Sequence, residues 1–108
     1  MSTRKETKTE LGAALKDLAK GPSANLYSQE AWTHLEDLAA KEQRPDELGE
    51  LYRKVIRETQ RGDLVAMLAP RAVRFHEEWF GAKADELEEI LTRVLTVDPA
   101  AEWALRRL

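Results

Sequence analysis

Residues 46–56 read DELGELYRKVI and residues 85–95 read DELEEILTRVL, and setting one beneath the other decides how the chain is read. Five positions are identical, and the pairs Leu51/Ile90, Lys54/Arg93 and Ile56/Leu95 are conservative. Leu48, Leu51, Tyr52, Val55 and Ile56 in the first copy correspond to Leu87, Ile90, Leu91, Val94 and Leu95 in the second. Apolar residues at i, i+3, i+4, i+7 and i+8 lay one wide stripe along an α-helix, with Glu50, Arg53, Lys54 and Arg57 on its far side. The copies lie 39 residues apart, and Trp32 and Trp103 stand 71 apart, close to two such periods. Short loops between helices at this repeat length are what a solenoid of helical hairpins would write.

Working outward, every other segment reads as helix or turn. Residues 1–9 are expected to be a flexible N-terminus, because Ser2 to Lys8 carry no apolar side chain. A leading helix over 10–20 holds Leu11, Ala14, Leu15, Leu18 and Ala19, and Gly21-Pro22-Ser23 stops it with a left-handed glycine cap. A second helix starts near Ser28 and carries Trp32, Leu35, Leu38 and Ala39. Asp46 is expected to cap the third, and Gly62-Asp63 to close it and cap the fourth. The fourth holds Leu64, Leu68, Ala72, Phe75 and Trp79, with Pro70 inside it to remove a backbone bond and bend it. Asp98 and Pro99 are expected to open a short sixth helix with Trp103, Leu105 and Leu108. No segment alternates as a strand does. The fold class is all-α, an antiparallel helix-hairpin repeat of five full helices and a short sixth.

Composition sets the outer limits. The chain has 108 residues, room for one small domain, read as a single helical-repeat domain over 10–108. Lys+Arg is 17 against Asp+Glu 20, and the net charge of −3 argues against direct nucleic-acid binding, which needs a cationic excess. There is no cysteine, hence no disulfide framework and no thiolate metal site. No apolar run is long enough for a membrane span and no signal core follows Met1, so a cytoplasmic location is expected.

At this point the chain resembles the tetratricopeptide repeat family and its half-a-TPR relatives, over roughly residues 28–108. Trp32 and Leu35 match the family's W-x-x-L opening, Tyr52 its second-helix aromatic, and Leu68, Ala72 and Phe75 its first-helix pattern. Asp98-Pro99 matches the repeat-closing pair. Glu36, Ala39, Leu48, Val55 and Gln60 depart from the family's preferences, and residues 81–84 read as a small insertion. The wording is similar to the divergent arrays of large bacterial TPR proteins. The resemblance implies repeat one over 28–60, repeat two over 63–97 and a partial repeat over 98–108. It also implies a concave groove lined by the first helix of each pair, which would present His34, Asp37 and Lys41, then Arg71, Arg74 and Glu78.

Chemistry is sparse. His76-Glu77-Glu78-Trp79 lacks the second histidine of a zincin, since position 80 is Phe80, and His34 is the only other imidazole. His76 therefore reads as a surface or groove residue. Asp85, Glu86, Glu88 and Glu89 read as a solvated first helical turn, with Glu89 paired to Arg93. Arg71, Arg74, Arg93, Arg106 and Arg107 are the candidates for a basic strip. Trp79 and Phe80 are adjacent, so at least one is expected to face outward. Catalytic residues, metal ligands and cofactors are assigned to none. The function expected is a non-catalytic interaction or assembly module that binds a peptide, a helix or a second copy of itself, the last through Trp103, Leu105 and Leu108. An RNA- or nucleoprotein-associated half-a-TPR-like module is the alternative, and an enzyme using dispersed histidines and carboxylates the weakest reading.

Overall fold

A computed structural model describes residues 10–21, 23–81 and 85–107, and there the chain consists of helices joined by short turns. In order come α1 (Glu10–Lys20), a 3-10 helix (Ser23–Tyr27), α2 (Gln29–Glu42), α3 (Pro45–Glu58), α4 (Gly62–Phe80), α5 (Asp85–Val97) and α6 (Glu102–Arg107). The described residues contain no strand. The expectations for residues 1–9 and for Leu108 fall outside the described residues. Two compact units divide the chain, one up to Leu48 and one from Gly49, so the boundary falls inside α3.

In the first unit α1 and α2 pack antiparallel, because the start of one meets the end of the other. The Leu11 amide donates to Glu42 Oε2 at 3.3 Å, and Lys41 Nζ stands 3.3 Å from Glu10 Oε1. Glu42 thus places a carboxylate at the positive end of α1, where unpaired N–H groups need an acceptor. Leu11, Leu18, Trp32, Leu35, Leu38 and Ala39 are buried. Trp32 does more than fill space, since its indole N–H donates to the Leu26 carbonyl at 2.9 Å and ties down the 3-10 helix. The second helix starts near Ser28 as read from the sequence, and Ser28 caps it, its Oγ accepting from the Ala31 amide at 3.2 Å.

Several helix ends differ from the sequence expectation. Gly21 is not left-handed; its amide donates to the Asp17 carbonyl at 2.9 Å, and the positive φ values among the described residues belong to Gln43 and Gly81. Gln43, at φ 57°, ends α2 with its N–H over the Ala39 and Ala40 carbonyls. Pro45 rather than Asp46 opens α3, taking the first-turn place where its missing N–H costs nothing. Arg61 occupies the N-cap position of α4 without a side-chain capping bond, and Gly62 and Asp63 both lie in its first turn. Asp98 and Pro99 form a turn before α6 instead of its start, with Asp98 Oδ1 accepting from Ala100 N at 3.2 Å.

The second unit is organised on α4, the longest helix at 19 residues. Its Leu64, Val65, Leu68, Ala69, Ala72, Val73, Phe75 and His76 are all buried, more than one stripe's worth. Tyr52 from α3 meets Phe75 with ring centroids 5.5 Å apart. Leu87, Ile90, Leu91 and Val94 of α5 are buried, and α5 runs antiparallel to α4: a Cβ on Gly62 would stand 3.0 Å from Val97 Cγ1. Pro70 is accommodated within α4 on its exposed side, so the Ala66 carbonyl that loses its i+4 donor belongs to another exposed residue. Gly81 then closes α4 at φ 95°, in the region glycine tolerates best.

Arg93 does not join Glu89 in an intrahelical pair. Its Nε donates to the Ile56 carbonyl at 3.1 Å and its Nη2 to the Thr59 carbonyl at 2.7 Å, so α5 supplies the cap for the end of α3. Glu89 pairs instead with Arg57 at 3.0 Å. Replacing Arg93 by Ala is expected to cost about 1–3 kcal/mol, because two carbonyls and a helix C-terminus lose a charged donor. Urea denaturation measures it, with exposed Arg74→Ala as the control expected to stay within about 0.5 kcal/mol of the parent. Equal effects of the two substitutions would overturn the capping role.

Candidate functional site

Two surfaces stand out from the otherwise ordinary charged exterior. The first is a groove of about 320 Å³ in the first unit, between α1, the 3-10 helix and α2. Its apolar lining comes from an Ala and a Leu four residues apart on each helix, Ala14 and Leu18 on α1, Ala31 and Leu35 on α2. One helical turn separates each pair, so the small residue leaves the space that the larger one floors. Asp17, Asn25, Ser28 and His34 give the groove its polar side. Gly21 helps shape it, since a Cβ there would stand 3.0 Å from the Asp17 carbonyl oxygen and 3.1 Å from Asn25 Nδ2.

The second surface is the C-terminal end of α4. Trp79 and Phe80 are each 37% exposed, and with Leu105 of α6 at 52% they are the exposed large apolar residues among those described. They are not loose. Phe75 supports both, with centroids 6.3 Å from Trp79 and 6.3 Å from Phe80, and His76 lies 5.4 Å from Phe80.

His76 itself is fully buried, which corrects its reading as a surface or groove residue. Its Nδ1 lies 2.7 Å from the Ala72 carbonyl and its Nε2 3.1 Å from Arg53 Nη1. A carbonyl only accepts and a guanidinium only donates, so the imidazole is neutral, protonated at Nδ1 and accepting at Nε2. Burial holds its pKa below the ordinary value, against the pull of the Ala72 carbonyl and with the help of the Arg53 charge. With both nitrogens engaged, neither is open to a substrate. The residue belongs to a second apolar row on α4, Val65, Ala69, Ala72, Val73 and His76, and that row is the sequence signal that could have revealed its burial.

The residues singled out in the sequence distribute as follows. His34, Asp37 and Lys41 share an exposed face of α2, and His34 also lines the groove, while Lys41 pairs with Glu10. Arg74 and Glu78 are exposed on α4 and Arg71 is half-buried. Of the candidates for a basic strip, Arg93 is a cap, Arg106 pairs with Glu102 at 3.4 Å and Arg107 with Glu77 at 3.0 Å. Trp103 is half-buried under the Arg107 guanidinium, 5.9 Å from the ring centroid. Asp17, Asn25 and Ser28 were missed, because their role depends on which face of α1 meets α2. Among the described residues no group of three or more His, Cys, Asp or Glu side chains is arranged to hold a metal ion. None of the described helices is long and apolar enough to cross a membrane. No protein family, curated protein or solved structure matches the chain.

The His76 geometry makes stability depend on pH. Unfolded, the imidazole takes up a proton near its ordinary pKa of about 6.5, whereas the buried ring resists until lower pH. Between those two values the unfolded chain binds more protons, so stability present above about pH 6.5 is lost as the pH falls through the folded-state value. His76→Gln, which cannot titrate, is expected to flatten that part of the profile even where it lowers stability overall. Urea midpoints at a series of pH values between about 7.5 and 5 check this, and an unchanged slope in the variant would refute it.

Proposed function

We propose that this chain is a non-catalytic protein-interaction module, built from helical hairpins of the tetratricopeptide-like kind, that docks an apolar segment of another polypeptide. The observation that carries the reading is the Trp79–Phe80 pair. Two adjacent aromatic side chains stay exposed on a helix whose Leu64, Leu68 and Phe75 are buried, and Phe75 packs against both. Rigid aromatic residues make strong anchors because they bury much area while losing little rotamer freedom. Half-exposed Trp103 and exposed Leu105 on α6 add a site that a second copy of the chain could use.

The charge arrangement supports a protein rather than a nucleic acid as partner. Lys41, Arg44, Arg57, Arg61, Arg106 and Arg107 each stand within ion-pair distance of a carboxylate. A phosphate-binding face needs cations held free of such neighbours. Engagement of both His76 nitrogens in the fold likewise supports a reading without catalysis.

Selection of random dodecapeptides on the full chain is expected to enrich sequences with apolar anchors. Exchanging Trp79 and Phe80 together for Ser should weaken the selected peptides at least about 10-fold, the scale of a hot-spot loss above about 1.4 kcal/mol. Light scattering across a concentration series identifies self-association, which the same double variant or Leu105→Ser should reduce. Failure to enrich any peptide, together with a monomer at every concentration, would overturn the reading.

A further inference from the structure

The groove of the first unit has a chemistry of its own, separate from the aromatic end of α4. Its floor is apolar, made of Leu18 and Leu35, both buried, between half-buried Ala14 and Ala31. Each Ala–Leu step rises by about 6 Å along its helix, so the trough runs for about one turn. On its rim stands the Asp17 carboxylate, exposed, and no cation among the described residues forms an ion pair with it. Asn25 and Ser28 bring two further side-chain oxygens, Ser28 Oγ already accepting the Ala31 amide and keeping one lone pair. Apolar trough, carboxylate at the rim and additional oxygen acceptors together match an occupant with an apolar stem and a cationic, multi-donor head.

We infer that this groove receives a lysine side chain presented by an extended segment of a partner polypeptide, its methylene stem on Leu18 and Leu35 and its ammonium on Asp17. Lysine fits because it lays four methylenes along apolar surface while keeping three donors at the tip. An acidic side chain is disfavoured by Asp17, and a wholly apolar one would gain nothing from that carboxylate. Gly21 borders the site, because a Cβ there would stand 3.1 Å from Asn25 Nδ2 and press on that side chain. The inference rests on the protein-binding reading for the source of the lysine and adds the partner's chemistry to it.

The test uses the full chain, labelled for amide NMR, and three probes: the capped pentapeptide Ala-Ala-Lys-Ala-Ala, its norleucine counterpart and n-pentylammonium. The lysine peptide is expected to shift the amides of Asp17, Asn25, Ser28 and His34 saturably. Asp17→Asn should weaken it by about 1.5- to 5-fold, the range of one exposed charge pair, and added salt should act in the same direction. Gly21→Ala should weaken it as well. Equal shifts from the norleucine peptide, no response to Asp17→Asn, or no saturable shift would each overturn the assignment. Binding of n-pentylammonium as tight as that of the lysine peptide would overturn the polypeptide source. The interaction reading is scored separately at Trp79 and Phe80: selected peptides that bind there while the groove stays silent refute this inference alone.

Discussion

The structure of the second unit depends on the breadth of the apolar surface on α4. A helix with a single stripe can pack on one side only, but α4 carries Leu64, Leu68 and Phe75 in one row and Val65, Ala69, Ala72, Val73 and His76 in another. Two rows admit two neighbours. Tyr52 of α3 meets Phe75 from one element, and α5 lies antiparallel with Val97 against Gly62. Small residues in the second row, Ala69 and Ala72, keep that side of the helix thin enough for close approach. The position of Pro70 follows from the same constraint, because the solvent side is where an unpaired Ala66 carbonyl can be met by water.

Helices this short leave a large share of their backbone groups at ends, and the chain meets that demand with long-range side chains. Arg93 closes α3 from a distance of 37 residues at Ile56 and 34 at Thr59, and Glu42 serves the start of α1 across 31. Trp32 serves the 3-10 helix within its own neighbourhood. Each cap also fixes the relative placement of two elements, so capping and packing inside each unit are one event. Surface ion pairs such as Lys41–Glu10, about 70% and 68% exposed at their side chains, add little beside these.

The candidate surfaces follow from where this packing stops. Trp79 and Phe80 sit in the last turn of α4, beyond the end of the two buried rows that close with Phe75 and His76, and remain exposed. In the first unit the alternation of Ala and Leu on both helices leaves a trough instead of a filled seam. His76 connects interior and surface in the second unit: it is a neutral acceptor for Arg53 on one side and a packing partner for Phe80 on the other.

The sequence by itself determined the helical class, the number of helices, the apolar stripes and the outward-facing acidic turn of α5, because helix periodicity and hydrophobic spacing are local properties. It also started the second helix near Ser28 and implied that Trp79 or Phe80 would be exposed. The two repeated segments became helices α3 and α5 with their stripes inward, yet their buried sets differ: Leu48, Tyr52 and Ile56 in one, Leu87, Ile90, Leu91 and Val94 in the other. That difference, the burial of His76, the cap from Arg93 and the meeting of Asp17 with His34 across a groove were decided only by tertiary structure. Each depends on which face of a helix meets which neighbour, and residues 17 to 37 positions apart carry no local signal of one another. Helix ends shifted as well: Asp46, Asp63 and Asp98 are all competent caps, yet α3 opens at Pro45, Arg61 takes the N-cap position of α4 and Asp98 lies in a turn.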